Sequence, residues 1–281
     1  MDNHKITAEQ IDAYGRWLQH EERAPGTREK YLRDIRAFAC WLEGVLVTKE
    51  LAAGWKAHLV EAGYAPVTIN SMLSAINGLF CFLGWEECRV KFLKVQRRLF
   101  RDESRDLTRP EYVRLLDTAR GLGRDRLALL METICATGIR VSEVRHITVE
   151  AARRGRAEIA SKGKVRVILL PNKLCRKLLK YAQKQKNVSG EIFLTGNGKP
   201  LTRRQIWAEM KRLCRRAEVV PSKVFPHNLR HLFAKAFYQV SHDIVKLADV
   251  LGHSSIETTR IYLISTGAEH QRQLERLGLV S

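Results

Sequence analysis

Apolar residues recur at spacings of three and four along nearly the whole of this 281-residue chain, so amphipathic helices must make up most of the fold. One stretch breaks that period. Residues 157–170 are rich in Ile and Val around Lys162-Gly163-Lys164, and predict a β-hairpin. A second break, near 94–106, holds many charges and little apolar periodicity, and reads as a linker. The expected architecture is mainly α with one small β-hairpin, in two domains. A helical module spans 1–94, a linker 95–106, and a larger domain 107–281, whose tail over about 266–281 carries Leu274, Leu277 and Leu279.

The first module reads as four helices. Thr7 and Gln10 form a capping box opening a helix to about His20. Pro25-Gly26 reads as a turn, with Thr27 capping a helix to about Leu42 whose core face is Tyr31, Ile35, Phe38 and Leu42. Thr48 caps a third helix, and Pro66 starts a fourth running to about Trp85. Thr108 and Glu111 make another capping box at the start of the second domain. Its helices are expected near 109–120, 124–136, 141–146, 172–186, 202–217, 227–239, 242–250 and 255–262.

Charge narrows the choice of partner. Residues 1–100 carry 14 Lys/Arg against 12 Asp/Glu, while the remainder carries 35 against 18, so 17 of the net 19 positive charges lie in the second part. Such a surplus repels itself unless a polyanion shares it. DNA and RNA fit best, with an acidic membrane surface as the other polyanion. The N-terminus is polar and lacks the apolar core of a signal peptide, and no long apolar run suggests a membrane span, which predicts a cytoplasmic protein. Cys40, Cys81, Cys88, Cys135, Cys175 and Cys214 are scattered without a CxxC pair, and read as buried free thiols rather than disulfides or metal ligands.

Three separated segments carry chemistry. In Ala136-Thr-Gly-Ile-Arg140-Val-Ser-Glu143, Gly138 can end one helix and present Arg140 at the corner before the next. In Pro226-His227-Asn-Leu-Arg230-His231, His227 and Arg230 share a helix face. In the third, Leu251-Gly-His253 is followed nine residues after the histidine by Tyr262. Two guanidiniums can grip a phosphodiester in bidentate fashion and stay charged at any working pH. Histidines can donate hydrogen bonds or shuttle protons, and a tyrosine can attack phosphorus once a cationic pocket or a base helps it ionise. There is no P-loop and no acidic cluster suited to two metals.

Together these segments resemble the catalytic signature of the tyrosine recombinases, the phage-integrase family: an Arg in a TGxRxSE corner, an HxxR helix, an LGH turn and a Tyr nine residues on. Gly26-Thr-Arg-Glu-Lys-Tyr31 resembles the family's SAM-like core-binding domain, and Ser161-Lys162-Gly163-Lys164 matches the place of its catalytic lysine. The resemblance implies a recombinase that uses neither metal, ATP nor other cofactor and forms a 3′-phosphotyrosyl link through Tyr262. Arg140, His227, Arg230, His253 and Lys162 would assist. His231 competes with His227, and Lys164 with Lys162.

The resemblance also implies double-stranded DNA with an inverted-repeat core site, bound by a dimer, with a tetramer in synapsis and the tail docking on a neighbour, the alternative being a tail helix packed on its own domain. The two domains would clamp the duplex. Candidate DNA contacts are Arg28, Arg33 and Asn70 on the first module, and Lys164, Arg203, Arg204 and Lys211 on the second. Integration or excision of a mobile element is the leading role, with Xer-like dimer resolution or DNA inversion as alternatives. A DNA-binding regulator that kept the fold is the competing class; a missing motif residue would favour it, and none is missing.

Overall fold

The computed structural model describes residues 4–95, 103–161, 164–253, 255–262, 271 and 275–277. Two compact units divide the chain, residues 1–97 and 98–281. The hairpin tip at Lys162-Gly163 and most of the tail lie outside the described residues.

The first unit holds α1 (Ala8–His20), α2 (Pro25–Trp41), α3 (Lys49–Glu61) and α4 (Pro66–Leu83). Thr7 and Gln10 close the expected capping box on α1. Helix α2 differs from expectation: Pro25 and Gly26 are its first turn, and Thr27 lies inside it. Proline needs no amide partner at the first helical position, and its fixed φ suits a helix start. Phe38 and Phe80 are fully buried, with Trp55 packed on Phe38 at 5.8 Å between ring centroids. Each such side chain contributes roughly 1.5–3 kcal/mol through burial.

Helix α4 is 18 residues long with a mean hydropathy of 1.4, long and apolar enough by length and composition alone to cross a bilayer. Its Ile69, Leu73, Ile76 and Phe80 instead build the core of this unit. Two asparagines on α4 hold the chain that leaves the unit. Asn70 donates to the Leu93 carbonyl (2.9 Å) and accepts from its amide (2.8 Å). Asn77 does the same with Val90, at 2.9 Å in both directions.

The second unit comprises α5 (Arg109–Gly121), α6 (Asp125–Thr137), a 3₁₀ segment (Val141–His146), α7 (Val149–Arg154), β1 (Arg156–Ser161), β2 (Lys164–Leu169), α8 (Asn172–Lys184), α9 (Arg203–Lys211), α10 (Pro226–Ser241), α11 (Ile244–Leu251) and α12 (Ile256–Arg260). The molecule is thus mainly helical with one small antiparallel sheet, β1 pairing with β2 so that Ile159 faces Arg166. Buried α6 is the hub, packing on α5, α8 and α10. Thr148 caps α7, a helix of one and a half turns that the sequence reading did not separate.

The expected 202–217 helix is regular only to Lys211. There the hydrogen bonds tighten to Leu213 N on Met210 O (3.1 Å) and Cys214 N on Lys211 O (3.2 Å), and Leu213, Cys214 and Ala217 turn into the core. Asp106, at the end of the linker stretch, is buried against Lys235 (2.8 Å). All six cysteines are free thiols, and Cys40 and Cys81 are exposed rather than buried.

Candidate active site

Helix α6 ends at Gly138, whose φ of 63° is left-handed. A side chain there would run into the Phe233 ring and Leu251, so both conformation and space require glycine. The turn releases the Gly138 carbonyl to accept from Arg230 Nη1. It also places Arg140 ahead of the 3₁₀ segment, where Glu143 accepts from the Arg140 amide (3.0 Å) and from its Nη1 (2.9 Å). The Arg140 side chain remains 40% exposed.

On α10, His227 is exposed, while Arg230, one turn further, is 3% exposed. Burial pulls the Arg230 guanidinium below its ordinary value, and hydrogen bonding to Tyr262 works against that shift. The C-terminal end of α11 gathers the cations. Its Val250 carbonyl accepts from Arg166 Nη2 (3.0 Å), Leu251 from Arg230 Nη2 (2.9 Å) and Gly252 from Arg140 Nη2 (3.2 Å). Helix-terminal carbonyls lack intrahelical partners and carry the negative end of the macrodipole, so three successive ones make a seat for guanidiniums.

His253 follows directly. Its Nε2 lies 2.9 Å from Arg230 Nη2 and its Nδ1 2.8 Å from Thr259 Oγ1. Burial, then Arg230, Arg140 and Arg166, push its pKa down to about 4. Arginine cannot accept a hydrogen bond, so neutral His253 accepts at Nε2 and donates from Nδ1 to Thr259.

Tyr262 is 2% exposed and packs with Ala234, Leu247 and Leu251. Three imidazoles surround its ring: His231 at 5.0 Å between centroids, His227 at 5.7 Å and His253, nearly parallel, at 5.8 Å. Tyr262, Arg140, His227, Arg230 and His253 all line one cleft of about 810 Å³, together with Arg203, Arg204 and Trp207 from α9. His231 is buried behind that wall.

Other expected contacts lie elsewhere. Lys211 donates to the Pro221 carbonyl and sits 5.2 Å from the Trp207 ring centre, so its ammonium is engaged within its own unit. Asn70 holds the Leu93 backbone with both its Nδ2 and its Oδ1, a structural use of that side chain. Arg28 reaches Gln19 (2.7 Å), and Arg33, largely exposed, pairs with buried Asp34 (2.8 Å). Lys162 falls outside the described residues; Lys164 pairs with Ser161 across the hairpin, and its side chain is likewise outside them.

Two residues of the site escaped the sequence reading. Trp207 lies among the arginines of the expected 202–217 helix and is 49% exposed on the cleft wall. Arg166 sits in strand phase with buried Ile168 and Leu170. An Arg in phase with core positions of a strand was the signal that could have found it.

The sequence profile of the Phage integrase family matches residues 105–269. The chain belongs to the phage integrase family. A second profile of that family, its N-terminal SAM-like domain, matches residues 11–87. Tyrosine recombinase XerA of Thermococcus kodakarensis is 30% identical over 277 residues, covering 95% of this chain and 94% of that protein. Tyrosine recombinase XerC of Roseiflexus castenholzii is 30% identical over 282 residues, covering 90% and 88%. Among solved structures, a lambda integrase tetramer bound to a Holliday junction superimposes with a TM-score of 0.74 at 18% identity, over 92% of this chain and 77% of that one. This family member is accordingly a tyrosine recombinase, an enzyme of DNA strand cleavage and rejoining.

Proposed function

We propose that this recombinase cuts DNA by attack of the Tyr262 hydroxyl oxygen on a scissile phosphate. The bond to the 5′-oxygen breaks, a 3′-phosphotyrosyl link forms, and the leaving strand takes a proton to become a free 5′-hydroxyl. Arg140 and Arg230 hold the non-bridging oxygens, where charge grows as phosphorus becomes five-coordinate. His227, exposed in the cleft, is placed to move the tyrosine proton. His253 orients Arg230. Lys162, or Lys164, protonates the leaving oxygen. Rejoining is the same step run backwards with a new 5′-hydroxyl, so the phosphodiester energy is kept in the enzyme–DNA bond.

The observation that carries this reading is that three segments far apart in sequence bring two arginines, two histidines and a buried tyrosine to one cleft. The first module (1–94) and the catalytic domain (107–281), joined by 95–106, both contribute DNA contacts. A dimer binds an inverted-repeat core site, and two such sites pair as a tetramer.

Two biological roles follow from this chemistry: integration or excision of a mobile element, and resolution of DNA dimers. The relatives at 30% identity are Xer recombinases, which favours the second. Sequencing the DNA trapped on the protein in cells decides between a single chromosomal site and the ends of an element. With that site built as a nicked suicide substrate, a covalent protein–DNA adduct should form and survive EDTA. It should vanish in Tyr262→Phe, while DNA binding persists because phosphate contacts dominate affinity. An undiminished adduct in Tyr262→Phe would falsify the mechanism.

A further inference from the structure

We propose that Arg166 is a positioning residue for the phosphate-binding pocket, holding Glu143, and through it Arg140, against the end of α11 that carries His253. The proposal rests on the reading of Arg140 as a phosphate ligand.

Arg166 lies outside the lining of the cleft. Its side chain is only 14% exposed. Its Nη1 lies 3.2 Å from Glu143 Oε2, and its Nη2 donates to the Val250 carbonyl at 3.0 Å. The aliphatic stem lies on Gly252, where a Cβ would collide with it; Gly252 also has a left-handed φ of 62°. One side chain on β2 therefore ties together the hairpin, the Arg140 corner and the turn before His253.

The electrostatics give this tie a purpose. Glu143 pairs with both Arg140 and Arg166. A carboxylate facing Arg140 alone would neutralise that guanidinium and compete with phosphate for its donors. Shared with Arg166, the carboxylate is already compensated, and Arg140 keeps positive charge directed to the cleft. A purely mechanical brace at this place would need no guanidinium. This one carries the cost of burial and of an Nε with no hydrogen-bond partner among the described residues. Burial lowers its pKa to about 10, which still leaves it charged at neutral pH.

The test is single-turnover cleavage of the suicide substrate at saturating DNA, with an ordinary scissile phosphate and with a neutral methylphosphonate at the same position. Arg166→Met should slow cleavage of the charged substrate by about tenfold to a hundredfold, the scale of a small misplacement of a catalytic group, with DNA affinity little changed. Arg166→Lys should recover part of the rate. On the neutral substrate, which has no anionic charge for Arg140 to meet, the Arg166→Met defect should shrink in parallel with that of Arg140→Met. A defect of equal size on both substrates overturns the proposal, as does an unchanged rate. Should Arg166→Met fail to fold, the double variant Glu143→Gln with Arg166→Met removes both half-buried charges. It should cleave no more slowly than Glu143→Gln alone, and an additive loss would again sink the idea. Wild type failing to form any adduct would instead strike the Tyr262 mechanism.

Discussion

His253 sits between a partner that only donates, Arg230, and a hydroxyl that can do both, Thr259. That arrangement suits neutral imidazole and rejects a second proton. Its folded pKa of about 4 lies below the unfolded value of about 6.5. Between those values the unfolded chain binds a proton that the folded chain refuses. The contribution to stability is therefore complete above about pH 6.5 and is lost as pH falls toward 4. The urea midpoint should drop between pH 7 and pH 5, and drop less in His253→Gln. Equal drops in the two proteins would mean that His253 is not the group responsible. At this scale the sequence pointed to Arg140, His227, Arg230, His253 and Tyr262 through motifs that resemble the family's signature, and the structure brings all five to one cleft. Arg166 did not, because its meaning lies in Glu143 and Val250, which are 23 and 84 residues away.

The elements were legible wherever periodicity ran for several turns, as in α1, α4 and α6. They were less so where a local choice was settled by tertiary contacts. Pro25-Gly26 suits either a turn or a first helical turn, and α7 is too short to show a period. Helix α9 stops early because Leu213, Cys214 and Ala217 reach the core only through tighter turns. Asn70 and Asn77 are a further case, since polar residues on a helix resemble surface contacts until the segment they bind is known. They lie two turns apart on α4 and mimic a strand neighbour for Val90 and Leu93. Asn77→Ala would strip both backbone partners from buried Val90, at about 1–3 kcal/mol. Hydrogen exchange by mass spectrometry should show faster exchange at 90–93 in that variant, with α8 unaffected. Unchanged exchange would show that the segment is held by other contacts.

Across the whole molecule, the positive surplus falls on the part of the chain that bears the cleft. Binding should weaken steeply with salt, because each neutralised phosphate releases condensed counterions. Arg203 and Arg204 are exposed on the cleft wall. Replacing both with Ala should flatten the slope of log affinity against log salt by about one to two units. A gel-shift series over salt concentration measures it, and an unaltered slope would take α9 off the DNA. The three carbonyls that end α11 also bear on the history of each molecule. Their arginine partners lie 112, 84 and 21 residues earlier in the chain. During synthesis every one of those arginines leaves the ribosome before its seat does, and contacts of long sequence separation form late. A chain interrupted before residue 250 carries the cations without the scaffold that aims them, and lacks Tyr262 as well.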